Sequence, residues 1–214
     1  QKGVLERVQG CLFGMAAGAW LNAITREYSP SENAFSSLVW NIPFTWKPDD
    51  GIELALALAN SLIKEKMFKP EAVYYAYLTW MLSRPFKENR PILTGIGEKT
   101  STLLRTAVLA CFGRNCELTQ VIHWCALNVK ITHPDPICVF ANEIYAVAVF
   151  FALKSGNPEE LYEKTIEWGF KSENQEKTVL EALLRASTSP PNAPLKELFV
   201  LCKMLFTNYY MLKP

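Results

Sequence analysis

The sequence lacks the patterns that mark several common classes of protein. No long run of basic residues occurs, and 22 Lys and Arg residues against 21 Asp and Glu residues give a formal charge of +1. Such a balance produces no strong field to attract nucleic acid or an anionic membrane. The six cysteines lack the paired CxxC spacing of a zinc site. We therefore expect no nucleic-acid partner, and packed, reduced thiols in a cytoplasmic protein.

Apolar runs long enough to cross a membrane are also lacking. The run 138–153 is shorter than the roughly 20 residues of a membrane span, and it carries Asn142 and Glu143. The run 11–24 follows charged residues, and no convincing signal-peptide cleavage site comes after it. We expect both runs to be core helices and no membrane to be a partner.

Strand signals are nearly absent, because helical spacing recurs almost everywhere and period-two alternation is not sustained. The pattern predicts an all-α fold. No repeat, low-complexity tract or linker divides the chain, so residues 1–214 are predicted to form a single domain. Proline, glycine and asparagine separate nine predicted helices, at about 3–22, 50–66, 70–83, 98–112, 117–129, 137–154, 158–169, 174–187 and 194–212.

Two of these helices are apolar on more than one side. In the second helix, Leu54, Leu58 and Leu62 form one stripe, and Leu56, Ala59 and Ile63 form another. A helix of this kind lies inside a bundle rather than on its surface. The helix 137–154 has the same character, so we expect the two to run side by side as central helices.

Adjacent carboxylates, Asp49 and Asp50, stand directly before the second helix. Acidic residues at a helix N-terminus are expected without any chemistry, because they satisfy exposed amides and the helix dipole. Capping needs only one carboxylate, however, and a pair suits a hard cation such as Mg²⁺. The residues leave both interpretations open, and a metal site would need further ligands from elsewhere in the chain.

A second polar segment, with Thr132, His133 and Asp135, precedes the helix 137–154. His133 alone fits a loop or capping role, and Asp135 fits a plain helix start before Pro136. If the two central helices run parallel, both polar segments meet at one end of the bundle. Converging helix N-termini there would form a cleft suited to an anion such as phosphate.

Three segments, in order, resemble the ADP-ribosylglycohydrolase family. The segment 9-QGCLFGMAAGAWLNA-23 is similar to the family's opening helix, GCLLGLAAGDALGA. The segment 46-WKPDDGIELALALANSL-62 resembles its W-T-D-D-T or S-D-D-G motif and the ALALA helix that follows. The segment 132-THPDPICVFAN-142 is similar to its T-H-x-x-P-R-x-V motif. The resemblance spans roughly positions 4–155, and the rest of the chain is compatible with it.

The resemblance implies an orthogonal all-α bundle with a binuclear Mg²⁺ centre that hydrolyses the bond between ADP-ribose and a protein side chain. By motif position, Asp49 and Asp50 match the metal-ligating and catalytic pair. Thr132, His133 and Asp135 match the polar start of the third motif, where we expect ligand binding. Trp46 lies beside the expected cleft, where an aromatic ring either stacks on a nucleobase or anchors a protein.

The sequence departs from the family pattern at several polar positions. Ala19 stands where the family has Asp, Ile137 where it commonly has Arg, and nothing resembles its C-terminal G-G-D-T-D-T motif. Two aspartates would leave each Mg²⁺ with about one charged ligand, and affinity follows ligand number and charge. We expect Mg²⁺ binding to be weak or lost, in either a degenerate relative or a fragment without the last motif.

Three functions stay open on the sequence. The favoured one is a catalytically impaired protein that binds ADP-ribose, an ADP-ribosylated protein or another protein partner. The second is an active Mg²⁺-dependent hydrolase with replacement ligands from 24–49, such as Glu27 or Glu32, or from 171–177. The third is an interaction scaffold without a small-molecule site.

Overall fold

The computed structural model of the chain describes residues 2–27, 50–83, 101–155 and 157–185, with side chains from residue 3 to 19 in the first range. All regular secondary structure in these ranges is helical, as predicted. The helices are α1 (Lys2–Glu27), α2 (Asp50–Glu65), α3 (Pro70–Ser83), α4 (Ser101–Phe112), α5 (Leu118–Lys130), α6 (Pro136–Lys154), α7 (Pro158–Lys171) and α8 (Lys177–Arg185).

Most helix boundaries lie close to those predicted, because prolines and glycines mark them in the sequence. α6 begins with Pro136 in its first turn, and α7 begins the same way with Pro158 after Asn157. The Asn157 side chain accepts hydrogen bonds from the first amides of α7. α1 continues to Glu27, beyond its predicted end at residue 22. The predicted helix 194–212 lies outside the described residues.

The centre of the bundle is α4, which the sequence did not single out. Every residue from Thr102 to Cys111 is buried, because α4 packs against α1, α2, α5 and α6. α6 is largely buried, as predicted for a central helix. The prediction that it runs beside α2 is wrong, since α2 packs against α3 and α4, whereas α6 packs against α4, α5 and α7. The central position of α4 was missed because α4 is short, so its apolar residues stand out less in the sequence than those of α6.

The two apolar stripes of α2 have different surroundings. Leu54, Leu58 and Leu62 are buried in the main core, as their spacing predicted. Leu56 and Ile63 are instead 55% and 73% exposed. α2 therefore buries one side against α3 and α4, and the prediction that it lies fully inside the bundle is wrong.

α6 is the longest of the apolar helices, and it contributes many of the core residues. It packs against α4, α5 and α7, and it is the one described helix long and apolar enough to cross a membrane. Since 72% of that apolar window is buried within the fold, its composition is that of a core helix. α5 and α6 are joined by residues 131–135 only, so the pair forms a helical hairpin.

Cysteines in the described ranges are all free thiols. Cys11 of α1 and Cys111 of α4 are both buried in the main core. A hydrogen bond between them, together with burial, raises the pKa of the Cys111 thiol well above its ordinary value. Burial likewise raises the pKa of the Cys125 thiol, so Cys111 and Cys125 stay protonated and act as small apolar side chains.

We predict that Gly113→Ala destabilises the protein by about 1–3 kcal/mol, because the added methyl group overpacks the α4–α5 junction. A Cβ atom at Gly113 would lie 2.6 Å from Cγ2 of Val121 and 3.3 Å from the carbonyl oxygen of Leu109. The measurement is urea unfolding at equilibrium.

The matched control is Gly10→Ala in α1, where a Cβ atom would meet nothing within 4 Å. Alanine favours a helix interior by up to about 1 kcal/mol over glycine, so this variant is expected to be as stable as the wild type or more so. Equal destabilisation by the two substitutions would contradict the packing at Gly113.

Candidate functional site

Polar side chains gather at the end of the bundle where α2, α4 and α6 begin. In the first turn of α2, the buried Glu53 accepts a hydrogen bond of 2.6 Å from Nε1 of Trp80, near the end of α3. One turn earlier in α3, Tyr77 lies against Arg105 of α4. The starts of α2 and α4 therefore meet the end of α3.

Arg105 lies at the middle of this polar end and is 0% exposed. Its Nη2 donates a hydrogen bond of 2.6 Å to Oγ1 of Thr132, in the turn between α5 and α6. Its Cζ lies 5.1 Å from the centroid of the Tyr77 ring, a cation–π distance. Arg105 thus joins α4 to α3 and to the α5–α6 turn.

Tyr77 of α3 connects Arg105 to the end of α5. Its hydroxyl donates a hydrogen bond of 2.6 Å to Oδ1 of Asn128, near the end of α5. Burial raises the pKa of the Tyr77 phenol, although the neighbouring Arg105 acts in the opposite direction. We call Tyr77, Arg105, Asn128, Thr132 and His133 the Arg105 cluster, and all five side chains are buried.

The α5–α6 turn holds three of the four residues that the sequence singled out for ligand binding, Thr132, His133 and Asp135. Backbone amides of Thr132 and His133 both donate to the Val129 carbonyl, which fixes the turn on the end of α5. Nδ1 of His133 lies 2.9 Å from Oγ1 of Thr132. Asp135 is the N-cap residue of α6 but makes no side-chain capping hydrogen bond. Thr132 and His133 are thus brought together, with Arg105 as their neighbour.

A second polar group links the first halves of α4 and α6. The Asn142 amide donates to Oγ1 of Thr102 at 2.7 Å, and its oxygen accepts from the Thr106 hydroxyl at 2.7 Å. Asn142 also donates to the Cys138 carbonyl at 2.8 Å. Because these contacts pair the N-terminal half of each helix, α4 and α6 begin at the same end of the bundle.

The predicted pair Asp49 and Asp50 is only half described. Asp50 is the first residue of α2 and is partly buried, one turn before Glu53 and therefore at the polar end. Asp49 and Trp46 lie outside the described residues. The roles of these three residues stay predictions.

Comparison with known protein families decides what kind of bundle this is. The ADP-ribosylglycohydrolase family model matches residues 1–210. The chain belongs to the ADP-ribosylglycohydrolase family. No curated protein and no solved structure gives a significant match. Family membership and the helical secondary structure together agree with the all-α fold that the three motifs imply.

The described residues of this family member do not form a complete binuclear Mg²⁺ centre. Across residues 2–27, 50–83, 101–155 and 157–185, no three His, Cys, Asp or Glu side chains come together as metal ligands. The acid next to Asp50 in the first turn of α2, Glu53, is hydrogen-bonded to Trp80. The polar end also holds the buried Arg105 cation, whose charge acts against the binding of Mg²⁺.

Sequence reasoning missed Arg105, Tyr77 and Asn128. Arg105 had a detectable signal, because it is the single charged residue in the apolar helix Ser101–Phe112. A charge at such a position is rarely buried unless a specific partner receives it. Tyr77 packs in the main core, and its hydroxyl also belongs to the Arg105 cluster.

We predict that Thr132→Val destabilises the protein by about 1–3 kcal/mol, because it removes the acceptor of a buried guanidinium hydrogen bond. The control is Thr165→Val, since the buried Thr165 hydroxyl donates at 2.7 Å to the Leu161 carbonyl of its own helix. That carbonyl keeps its backbone partner, so the control should cost about 0.5 kcal/mol or less. Urea unfolding measures both, and equal costs would contradict the importance of the Arg105–Thr132 bond.

Glu143 of α6 generates a pH-dependent prediction. Burial raises the pKa of its carboxyl above the ordinary 4.5, with partial relief from Lys130. The folded state therefore holds a proton that the unfolded state releases. The free energy of unfolding falls as the pH rises from about 4.5, the ordinary pKa, through the higher pKa of the folded state. We expect Glu143→Gln to be more stable than the wild type at neutral pH, on the order of 1 kcal/mol.

This gain should vanish below pH 4.5, where both states of the wild type are protonated. Thermal unfolding across that range measures it. Glu173→Gln is the control, because Glu173 is exposed. A gain that is independent of pH, or one shared by the control, would contradict the burial of an ionisable Glu143.

Proposed function

We propose that this ADP-ribosylglycohydrolase is catalytically impaired and acts by binding ADP-ribose, or a protein that carries it. The ligand is proposed to bind at the polar end of the bundle, where α2, α4 and α6 begin. The observation that carries the proposal is the contact of Arg105 with Thr132, which places a fixed positive charge beside the third family motif.

Arg105 and the helix N-termini at this end would favour an anionic ligand, although Asp50 and Glu53 of α2 carry the opposite charge. Helix N-termini carry exposed amides and the positive end of the dipole, so three of them at one end attract a diphosphate. Arg105 adds a full positive charge in a buried site, where charges interact more strongly than in water. The same field opposes Mg²⁺ unless several carboxylates surround the ion.

The proposed loss of catalysis is supported by α1. Ala19 stands where the family motif has Asp, and in the structure it packs against the main apolar core. This position therefore supplies neither a ligand nor a base. Among the motif residues that this sequence carries, the carboxylates left as donors are Asp49 and Asp50, which are too few for two metal ions.

We predict that the wild-type chain binds ADP-ribose without Mg²⁺, as measured by isothermal titration, and that excess Mg²⁺ produces no binding heat of its own. The variant His133→Ala should weaken ADP-ribose binding about tenfold, which corresponds to about 1.4 kcal/mol. His133 is chosen because it lies in the α5–α6 turn next to Thr132. Unchanged affinity in this variant would contradict the proposed location.

The carboxylate pair is tested with the double variant Asp49→Ala, Asp50→Ala. Because the proposal assigns no working metal site to the pair, this variant should keep its affinity for ADP-ribose, and neither protein should release ADP-ribose from ADP-ribosyl-arginine. The matched control is Glu159→Ala, Glu160→Ala, which removes two adjacent acids from the first turn of α7. Mg²⁺-dependent hydrolysis that only the aspartate variant loses would overturn the proposal and establish an active hydrolase.

A further inference from the structure

The outer face of α2 and α3 lacks the charged residues that usually keep a surface helix in water. The two helices are joined by residues 66–69 only and pack against each other as a hairpin. Residues 54–63 of α2 and 72–83 of α3 include no Asp, Glu, Lys or Arg. Because each helix buries only one side, its other side would normally carry such residues. We call this uncharged surface, formed by the outward side chains of residues 56–64 and 71–83, the α2–α3 face.

Large apolar side chains are exposed along the α2–α3 face. Leu56 and Ile63 of α2 are exposed, and Tyr75 and Leu82 of α3 are 64% and 72% exposed. The two residues of each pair are separated by about two helical turns, so each pair lies along one side of its helix. The face therefore carries two apolar ridges, one on each helix.

A groove of about 560 Å³ lies between α2 and α3 on the same face. Asn60, one turn after Leu56, lines the groove together with Tyr75. Small side chains from both helices form much of the rest of its lining: Ala57, Ser61, Ala72, Ala76 and Ser83. Ridges beside a groove of small residues give a surface that a second copy of the same face can pack against, ridge to groove.

The apolar area of the face is close to what a stable dimer needs. A standard interface covers about 800 Å² on each partner, and somewhat more than half of this area is apolar. Leu56, Ile63, Tyr75 and Leu82 together expose on the order of 500 Å², because a large apolar or aromatic side chain has about 150–250 Å² to bury. The centre of an interface is also depleted of charged residues and enriched in tyrosine, as this face is.

Charged residues at one end of the face suit a second copy of the chain as the partner. Lys64, near the end of α2, and Glu71, in the first turn of α3, are both exposed. Because α2 and α3 run in opposite directions within the hairpin, these two residues lie at the same end of the face. A two-fold axis along the groove lays α2 of each copy over α3 of the other, which brings each Lys64 toward the Glu71 of the other copy.

We propose that the α2–α3 face is the interface of a symmetric dimer, in which α2 of each copy lies over α3 of the other. The exposed ridges of both copies leave water in this arrangement, and the release of that apolar surface is the driving force of association. The inference goes beyond the proposed function and does not rest on it, because none of these residues belongs to the Arg105 cluster.

Sedimentation equilibrium of the full chain tests the dimer. The wild type is expected to approach twice the 24.2 kDa mass of one chain as the protein concentration rises to about 100 μM. Ile63→Glu places a carboxylate within the apolar interface, so its association should be about tenfold weaker or more. The matched control is Phe170→Glu, since Phe170 is exposed on α7, outside the face. A wild type that stays monomeric, or equal association of the two variants, would overturn the dimer.

Charge reversal tests how the two copies are arranged. Lys64→Glu sets like charges against each other and should weaken association, whereas the double variant Lys64→Glu, Glu71→Lys restores opposite charges and should associate like the wild type. Both residues are exposed, and circular dichroism checks that each variant keeps its helices. A double variant that associates no better than Lys64→Glu alone would show that α2 does not lie over α3 of the other copy.

A lipid surface is the other partner that an uncharged apolar face could take, and it gives a different result. If the wild type is monomeric and sediments with phosphatidylcholine vesicles, whereas Ile63→Glu does not, the face binds lipid and the dimer is wrong. Titration of Ile63→Glu with ADP-ribose should match that of the wild type, so a failure of the dimer and a failure of the proposed function are observed separately.

Discussion

The buried guanidinium of Arg105 is the interaction on which the polar end of this bundle depends. α4 is covered by four neighbouring helices, so a charged side chain there has no route to water. Its hydrogen bond to Thr132 holds the α5–α6 turn, and its contact with the Tyr77 ring holds α3. Three elements far apart in the sequence are therefore positioned by one charge, and the apolar packing of α4 must offset the cost of burying it.

That charge also constrains what the site can bind. The family chemistry implied by the motifs needs two divalent cations, which require a strongly negative surrounding. A guanidinium in the low-dielectric interior next to Thr132 acts against this, and Ala19 packs against the core where the family motif has an aspartate. Both observations favour an anion at the site, so the proposed loss of hydrolysis is compatible with the proposed binding of ADP-ribose.

The sequence predicted the positions of the helices along the chain well, but it did not predict which helices pack against one another. The reason is physical. Periodicity and breakers report which residues face away from water, and Leu54, Leu58 and Leu62 are buried as their spacing indicated. The same stripes do not say which helix covers them, so the central position of α4 was missed and Ile63 was expected inside although it is exposed. Only tertiary packing brings Tyr77 and Arg105 together, because they lie on different helices.

The functional motifs were recognisable for a different reason. Thr132, His133 and Asp135 lie in one short turn, and local sequence fixes a turn that the end of α5 holds by backbone hydrogen bonds. Arg105 enters the same site from another helix, and no local pattern links it to Thr132. The residues of such a site that lie in one segment can therefore be predicted from the sequence. The residues that reach it from other helices are found only in the structure.

The presence of Asp50 at the start of α2 is compatible with the proposed weak or lost binding of Mg²⁺. An acidic residue in the first turn of a helix is stabilising by about 0.3–1 kcal/mol through the helix dipole, whether or not a metal is bound. Folding alone therefore favours a carboxylate at this position. Ala19 lies in the middle of α1, where an acid would have no such stabilising role. The two positions differ in what an acid would do for the helix that carries it.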